Sequence, residues 1–262
     1  MPCLTEQILV PQFFDTADGM SHAFYDLGGA DAPPIIIQHG YSATTFHEWV
    51  EPGIAGRLVS ALGRRLIGID ALGHGASTRS HNPADYGEGR MAADVSALAD
   101  HIGLESFDFA GYSMGGIIGL EVARIEPRLR RLVVAGIGDG VIECGGVDTR
   151  LLDRAVLAEG LRAHDASSYP PLVQAFRNGI EQRGNDRLAL AAHAASPLHV
   201  ASGLDHISVP TLLIAGDADP LANRPERLAL AIPGCRLVIV PGDHLAARLC
   251  PEFGAAVIDF LR

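Results

Sequence analysis

Residues 107–120 read FDFAGYSMGGIIGL. An apolar run of strand type ends at Gly111, Ser113 follows two positions later, and a helix-like pattern continues past Gly115 and Gly116. Within it, GYSMG fits the spacing G-x-S-x-G between a strand and a helix. The spacing has a steric cause. A serine on a sharp strand-to-helix turn adopts strained dihedrals, and the residues two positions away crowd its backbone. Glycine at 111 and 115 leaves that space free. The helix beginning after Ser113 points its first amides toward any negative charge that develops there. A nucleophilic serine is therefore expected at 113.

Outward from this stretch, short β-rich runs alternate with helix-length amphipathic segments, the pattern of a parallel sheet with crossover helices. PPIIIQ from Pro33, RRLIGID from Arg64, RLVVAG from Arg131, TLLIAG from Thr211 and RLVIV from Arg236 join FDFAG as strands. Each is short and apolar, as a strand covered on both faces reads. Helical spacing over 89–103 places Met91, Val95, Leu98 and Ile102 on one side. The helix after Ser113 stops before Pro127, and the last one starts at Pro251. Residues 139–208 carry helical stretches and no strong strand, and are expected to form a helical insertion. The expected class is thus α/β: a mostly parallel central sheet of about eight strands, helices on both faces, a core of residues 1–138 and 209–262, and a small helical cap over 139–208.

Composition removes several functions. The net charge of -11 argues against nucleic acid, which needs clustered Lys and Arg. All 20 basic residues are arginine. Schiff-base chemistry and a GxxxxGK[ST] nucleotide loop each require a lysine that this chain lacks. Cys3, Cys144, Cys235 and Cys250 show no CxxC spacing and are read as reduced thiols. The N-terminus has no signal-peptide pattern, and no apolar run reaches membrane-spanning length. The expected partner is a small-molecule substrate, with neither nucleic acid nor membrane; the expected location is cytoplasmic, and a homo-oligomer stays open. GIGDG at 136–140 lacks the GxGxxG spacing, and neither HExxH nor a tight His/Asp/Glu cluster is present. No cofactor and no metal are implied.

A serine hydroxyl needs a base. His244, in VIVPGDHLAA, follows the last apolar strand and precedes the C-terminal helix. The other histidines fit less well: His39 is expected to brace its loop, His74 to be structural in a glycine turn, and His193, His199 and His206 at most to line a pocket. The acid that orients the imidazole has three candidates, Asp217 and Asp219 in LIAGDADPLAN and Asp139 in AGIGDG. An oxyanion needs two donors. The amide of Met114 is one, and the amide of Tyr41, in HGYSATTF after the Pro33 strand, is the natural second. Tyr41 also suits a pocket wall.

These motifs, in order HGY (39–41), DALGHGAS (70–77), GYSMGG (111–116), GDADP (216–220) and GDHL (242–245), resemble the α/β-hydrolase superfamily over nearly the whole chain. The resemblance implies an acid at the D of GxxD, which is Asp219, with Asp217 as a turn residue; relatives that place the acid one strand earlier keep Asp139 as an alternative. It implies a structural role for Asp70 and a cap for the insertion. Serine rather than aspartate at 113 argues against epoxide and haloalkane chemistry. The expected function is a serine hydrolase that cleaves carboxylic esters of small or medium, mostly uncharged substrates through an acyl-enzyme. The runner-up is a C–C, lactone or thioester hydrolase with the same Ser113–His244–Asp219 triad, and the third reading is a non-catalytic binding member of the fold. The insertion's arginines, Arg154, Arg162 and Arg177, are expected on helix surfaces; one pointing inward would favour the runner-up.

Overall fold

The structure, a computed structural model, describes residues 9–146, 150–197 and 200–262. Among them Cys144, Cys235 and Cys250 are free thiols; Cys3 and His199 lie outside the described residues.

Eight strands form one sheet: β1 (Gln12–Asp15), β2 (Ser21–Asp26), β3 (Ala30–Gln38), β4 (Arg64–Ile69), β5 (Phe107–Tyr112), β6 (Leu129–Ala135), β7 (Thr211–Gly216) and β8 (Arg236–Val240). Their order is β1-β2-β4-β3-β5-β6-β7-β8. β1 and β2 run antiparallel, and every pairing from β4 to β8 is parallel. The sheet thus matches the expected class. β1 and β2 had no signal of their own in the sequence: β1 is a short, mostly exposed edge strand, and β2 beside it carries Ser21, His22 and Asp26 among its apolar residues.

Helices α1 (Ile54–Leu62), α2 (Glu88–His101) and α3 (Met114–Ile125) fall in the first half of the chain. α4 (Gly140–Glu143), α5 (Arg154–Arg162), α6 (Pro171–Gln182) and α7 (Arg187–Ala194) occupy the interval between β6 and β7, and α8 (Pro225–Ala231) and α9 (Pro251–Leu261) follow. The two faces of the sheet bury separate clusters. Ile36, Ile67, Phe109, Leu132 and Leu213 pack with α2 and α3, whereas Ile35, Ile37, Leu66, Val133 and Ile214 pack with α1 and α9. The alternation of Ile35, Ile36 and Ile37 between faces is the period-two geometry of a strand.

A third cluster, with Leu157, Leu161, Val173, Ile180 and Leu190, belongs to α5, α6 and α7. Val141, Leu204 and Ile207, near the ends of the same interval, pack instead into the main core. The separately packed helical part is therefore narrower than 139–208.

Candidate active site

β3, β5, β7 and β8 are parallel, so their C-terminal ends lie along one edge of the sheet, where ligands of open α/β sheets bind. Ser113 follows β5 directly, with φ 54° and ψ −115°. A non-glycine residue held there costs about 1–3 kcal/mol, compensated by surrounding structure. The surroundings are specific. The Ser113 amide donates to the Ala135 carbonyl (2.7 Å), and the Ser113 carbonyl accepts from the amides of Gly116 (2.8 Å) and Ile117 (3.1 Å). A Cβ on Gly111 would overlap the Gly115 carbonyl, and one on Gly115 would overlap the Gln38 carbonyl on β3. Both glycines are thus required by close backbone approach at the turn.

His244 stands on the loop after β8. Its Nε2 is 3.1 Å from Ser113 Oγ and its Nδ1 is 2.8 Å from Asp219 Oδ2. The Asp219 carboxylate is fully buried and also accepts from the Leu221 amide at 2.9 Å. A carboxylate can only accept, so Nδ1 carries the proton and Nε2 is left to accept from the serine hydroxyl. The Tyr112 hydroxyl donates to the His244 carbonyl at 2.6 Å and fixes the loop. Burial, then the Asp219 charge, pushes that phenol well above its usual range, so it stays a donor.

The other acid candidates are engaged elsewhere. Asp217 accepts from the Gly242 amide at 2.8 Å, across the turn. Asp139 is buried against Arg224 (2.6 Å) and Arg227 (2.9 Å). Asp70 accepts from the Thr45 amide (2.8 Å), the Tyr25 hydroxyl (2.9 Å) and the Ala76 amide (3.2 Å), a structural arrangement.

Ser113, Met114, Gly40, Tyr41 and His244 border one cavity of about 460 Å³. The amides of Tyr41 and Met114 have no hydrogen-bond partner among the described residues. The Tyr41 side chain is tied down separately, its hydroxyl donating to the Leu190 carbonyl at 2.5 Å. His39 is buried with Nδ1 2.8 Å from the Gly40 carbonyl and Nε2 accepting from the Ala71 amide at 3.0 Å, and so braces both loops. Burial, with His74 beside it, lowers its pKa to about 4. His74 faces two carbonyls, Leu72 at 2.9 Å and Tyr41 at 2.5 Å. Burial lowers its pKa although these acceptors favour the proton. His193 lines the cavity, and His206 is exposed beside Asp205.

Several cavity residues had no signal in the sequence. Glu48, on a π-helical turn (Phe46–Val50), accepts from the Gly40 amide at 3.2 Å and pairs with Arg248. It thereby joins the Tyr41 loop to the His244 loop. Glu88 and Arg183 also border the cavity. Arg162 is exposed, and Arg177 holds the carbonyls of Gly160 and Ala163. Arg154 departs from the surface placement expected of it: it lines the cavity, its guanidinium drawn inward by the carbonyls of His193 (2.7 Å) and Ala194 (3.1 Å). Helical spacing alone cannot distinguish an outward arginine from one that reaches such carbonyls.

Residues 33–145 match the family model described as the alpha/beta hydrolase fold. A solved hydrolase from Pseudomonas aeruginosa PA01 superposes with a TM-score of 0.75 at 30% identity, covering 96% of this chain and 98% of that one. The chain belongs to the α/β-hydrolase fold family. It is similar as well to a putative carbamate hydrolase, RutD, of Pseudomonas savastanoi pv. phaseolicola, 28% identical over 92% of this chain and 98% of the relative. A 3-oxoadipate enol-lactonase of Acinetobacter baylyi is 30% identical over 60% of this chain and 62% of the relative.

Proposed function

We propose that this member of the family is a serine hydrolase that cleaves carboxylic esters of small or medium, mostly uncharged substrates through an acyl-enzyme. The observation that carries the reading is the unbroken chain from Ser113 Oγ to His244 to Asp219, at 3.1 and 2.8 Å, opening on a cavity. In this reading Ser113 Oγ attacks the acyl carbon as His244 Nε2 takes its proton. The oxyanion is held by the Tyr41 and Met114 amides. Collapse expels the alcohol, which leaves with the proton from Nε2. Water then gives a proton to Nε2 and attacks the acyl carbon, and the return of that proton to Ser113 frees the acid. The buried Asp219 carboxylate stabilises the imidazolium in both halves. Helices α5 to α7, with their own apolar cluster, act as the cap in this reading.

Among the charged residues on the cavity wall, Glu48, Glu88 and Asp243 balance Arg154, Arg183 and Arg248. That balance supports uncharged substrates. The inward Arg154 would favour an acid substrate, such as the runner-up C–C hydrolysis requires, but Glu88 faces it and offsets its charge. The relatives named as a carbamate hydrolase and an enol-lactonase support hydrolysis at an acyl carbon and keep lactones within the class.

The test is p-nitrophenyl acetate hydrolysis by the wild type and by Ser113→Ala, with labelling by a fluorophosphonate followed by mass spectrometry. Loss of about a thousandfold or more in kcat, and loss of the label, are expected. Undiminished turnover in Ser113→Ala removes the assigned nucleophile.

A further inference from the structure

A second set of polar side chains borders the same cavity, at the seam between the sheet's helices and α5 to α7. Glu88 opens α2, Arg154 opens α5, and His193 lies on α7. Glu88 is 4% exposed, and its Oε1 is 3.7 Å from Arg154 Nη1, too far for a hydrogen bond. Its Oε2 is buried and has no hydrogen-bond partner among the described residues. Arg154 is not free to close the gap: Nε donates to the Ala194 carbonyl (3.1 Å), and Nη2 to the His193 carbonyl (2.7 Å) and Ser196 Oγ (3.1 Å). The ring of His193, stacked on Tyr86 at 5.2 Å, also leaves a buried nitrogen, Nδ1, without a partner among the described residues.

Buried carboxylate oxygens are rarely left without a donor, because the lost hydration is costly. Here the carboxylate belongs to a residue that borders the cavity already holding the candidate nucleophile. A group from the cavity that donates to the Glu88 carboxylate and accepts from Arg154 would bridge the two side chains. A hydroxyl or a carboxamide does so while staying neutral. A carboxylate would meet Glu88, and an ammonium would meet Arg154.

We propose that Glu88 and Arg154 form a polar subsite that selects esters bearing a neutral hydroxyl or carboxamide group. The proposal rests on the reading of Ser113 as the nucleophile and narrows its substrate class. Charge-assisted hydrogen bonds of this kind correspond to roughly tenfold or more in kcat/KM.

Two substrate series test it in the full-length protein. One varies the acyl side, with p-nitrophenyl β-hydroxybutyrate, butyrate and hemisuccinate. The other varies the alcohol side, with ethylene glycol monoacetate and propyl acetate followed by pH-stat. The wild type is expected to prefer the hydroxylated member about tenfold in at least one series and to work poorly on the hemisuccinate. Glu88→Met, checked for folding by circular dichroism, is expected to bring that preference close to one. Glu88→Gln removes the charge but keeps the shape, and is expected to raise kcat/KM for the hemisuccinate about tenfold, since Arg154 then faces no opposing charge. That gain cannot come from a folding defect. Equal rates across both series in the wild type, or a preference that survives both Glu88 substitutions, overturns the subsite. Hydrolysis of the butyrate ester by Ser113→Ala would instead overturn the underlying reading.

Discussion

Asp217 and Asp219 sit two positions apart in one turn after β7, and both reach the loop that carries His244. Asp217 accepts from the Gly242 amide at 2.8 Å, whereas Asp219 meets His244 Nδ1 at 2.8 Å. The two carboxylates therefore do different work although their sequence context is the same. Asp219→Asn puts an amide opposite Nδ1 and permits the wrong tautomer, so kcat is expected to fall on the order of a thousandfold to ten-thousandfold. Asp217→Asn keeps an acceptor for Gly242 and is expected to cost less than about tenfold, the worth of one neutral hydrogen bond. Steady-state kinetics of the two variants decides the point; similar losses would remove Asp219 from its assigned role. Ser113 and His244 were legible as single residues because glycine spacing and strand ends fix where they fall. Spacing left the acid open among three aspartates and the family resemblance favoured Asp219; the side-chain directions in the turn bring that carboxylate to His244. Glu48, Glu88 and Arg248 had no legible signal, since each reaches the cavity from an element whose sequence reads as ordinary helix or turn.

At the scale of elements, the turn between α6 and α7 is the best-defined anchor of the helices over the cavity. Asn185 accepts from the Gly75 amide at 2.9 Å and donates to the carbonyls of Ser42 (3.3 Å) and Ala43 (3.2 Å). One buried side chain thus ties α6 and α7 to the loops after β3 and β4. Asn185→Ala would leave these groups without a partner, at about 1–3 kcal/mol. A lower Tm and a reduced kcat/KM, with residual activity still dependent on Ser113, are expected from calorimetry and ester hydrolysis. Unchanged values in both would show that the anchor is dispensable. The six apolar strands and the helices at 88–101, 114–125 and 251–261 were readable because burial on both faces, or on one stripe, leaves a periodic pattern. α7 and the inward turn of Arg154 were not, because they depend on what the insertion packs against.

Across the whole molecule, buried histidines set the response to acid. Burial lowers His22 from 6.5 to about 4, His39 to about 4 and His193 well below 6.5. In the unfolded chain these rings take up protons near pH 6.5, whereas in the folded protein His22 and His39 do so only nearer pH 4 and His193 well below 6.5. Between those values the unfolded state binds more protons, so stability falls as pH drops through the window and is unaffected by these groups above it. Asp94 acts the other way. Its carboxyl, raised by burial to about 7, binds a proton in the folded state first, and this favours the folded state as pH falls from about 7 toward 3.8. His22 and Asp94 lie 3.6 Å apart, beyond hydrogen-bond reach, and burial outweighs their attraction, so that both are neutral between about pH 4 and about pH 7. His74 and His47 are lowered by burial as well, so the histidines outnumber the one carboxylate and unfolding takes up protons net over this window. Calorimetry from pH 7.5 to pH 4.5 is therefore expected to show Tm falling, steeply below pH 6, with His22→Phe flattening the decline. A Tm that holds or rises over that range would mean that the buried rings already carry their protons in the folded protein.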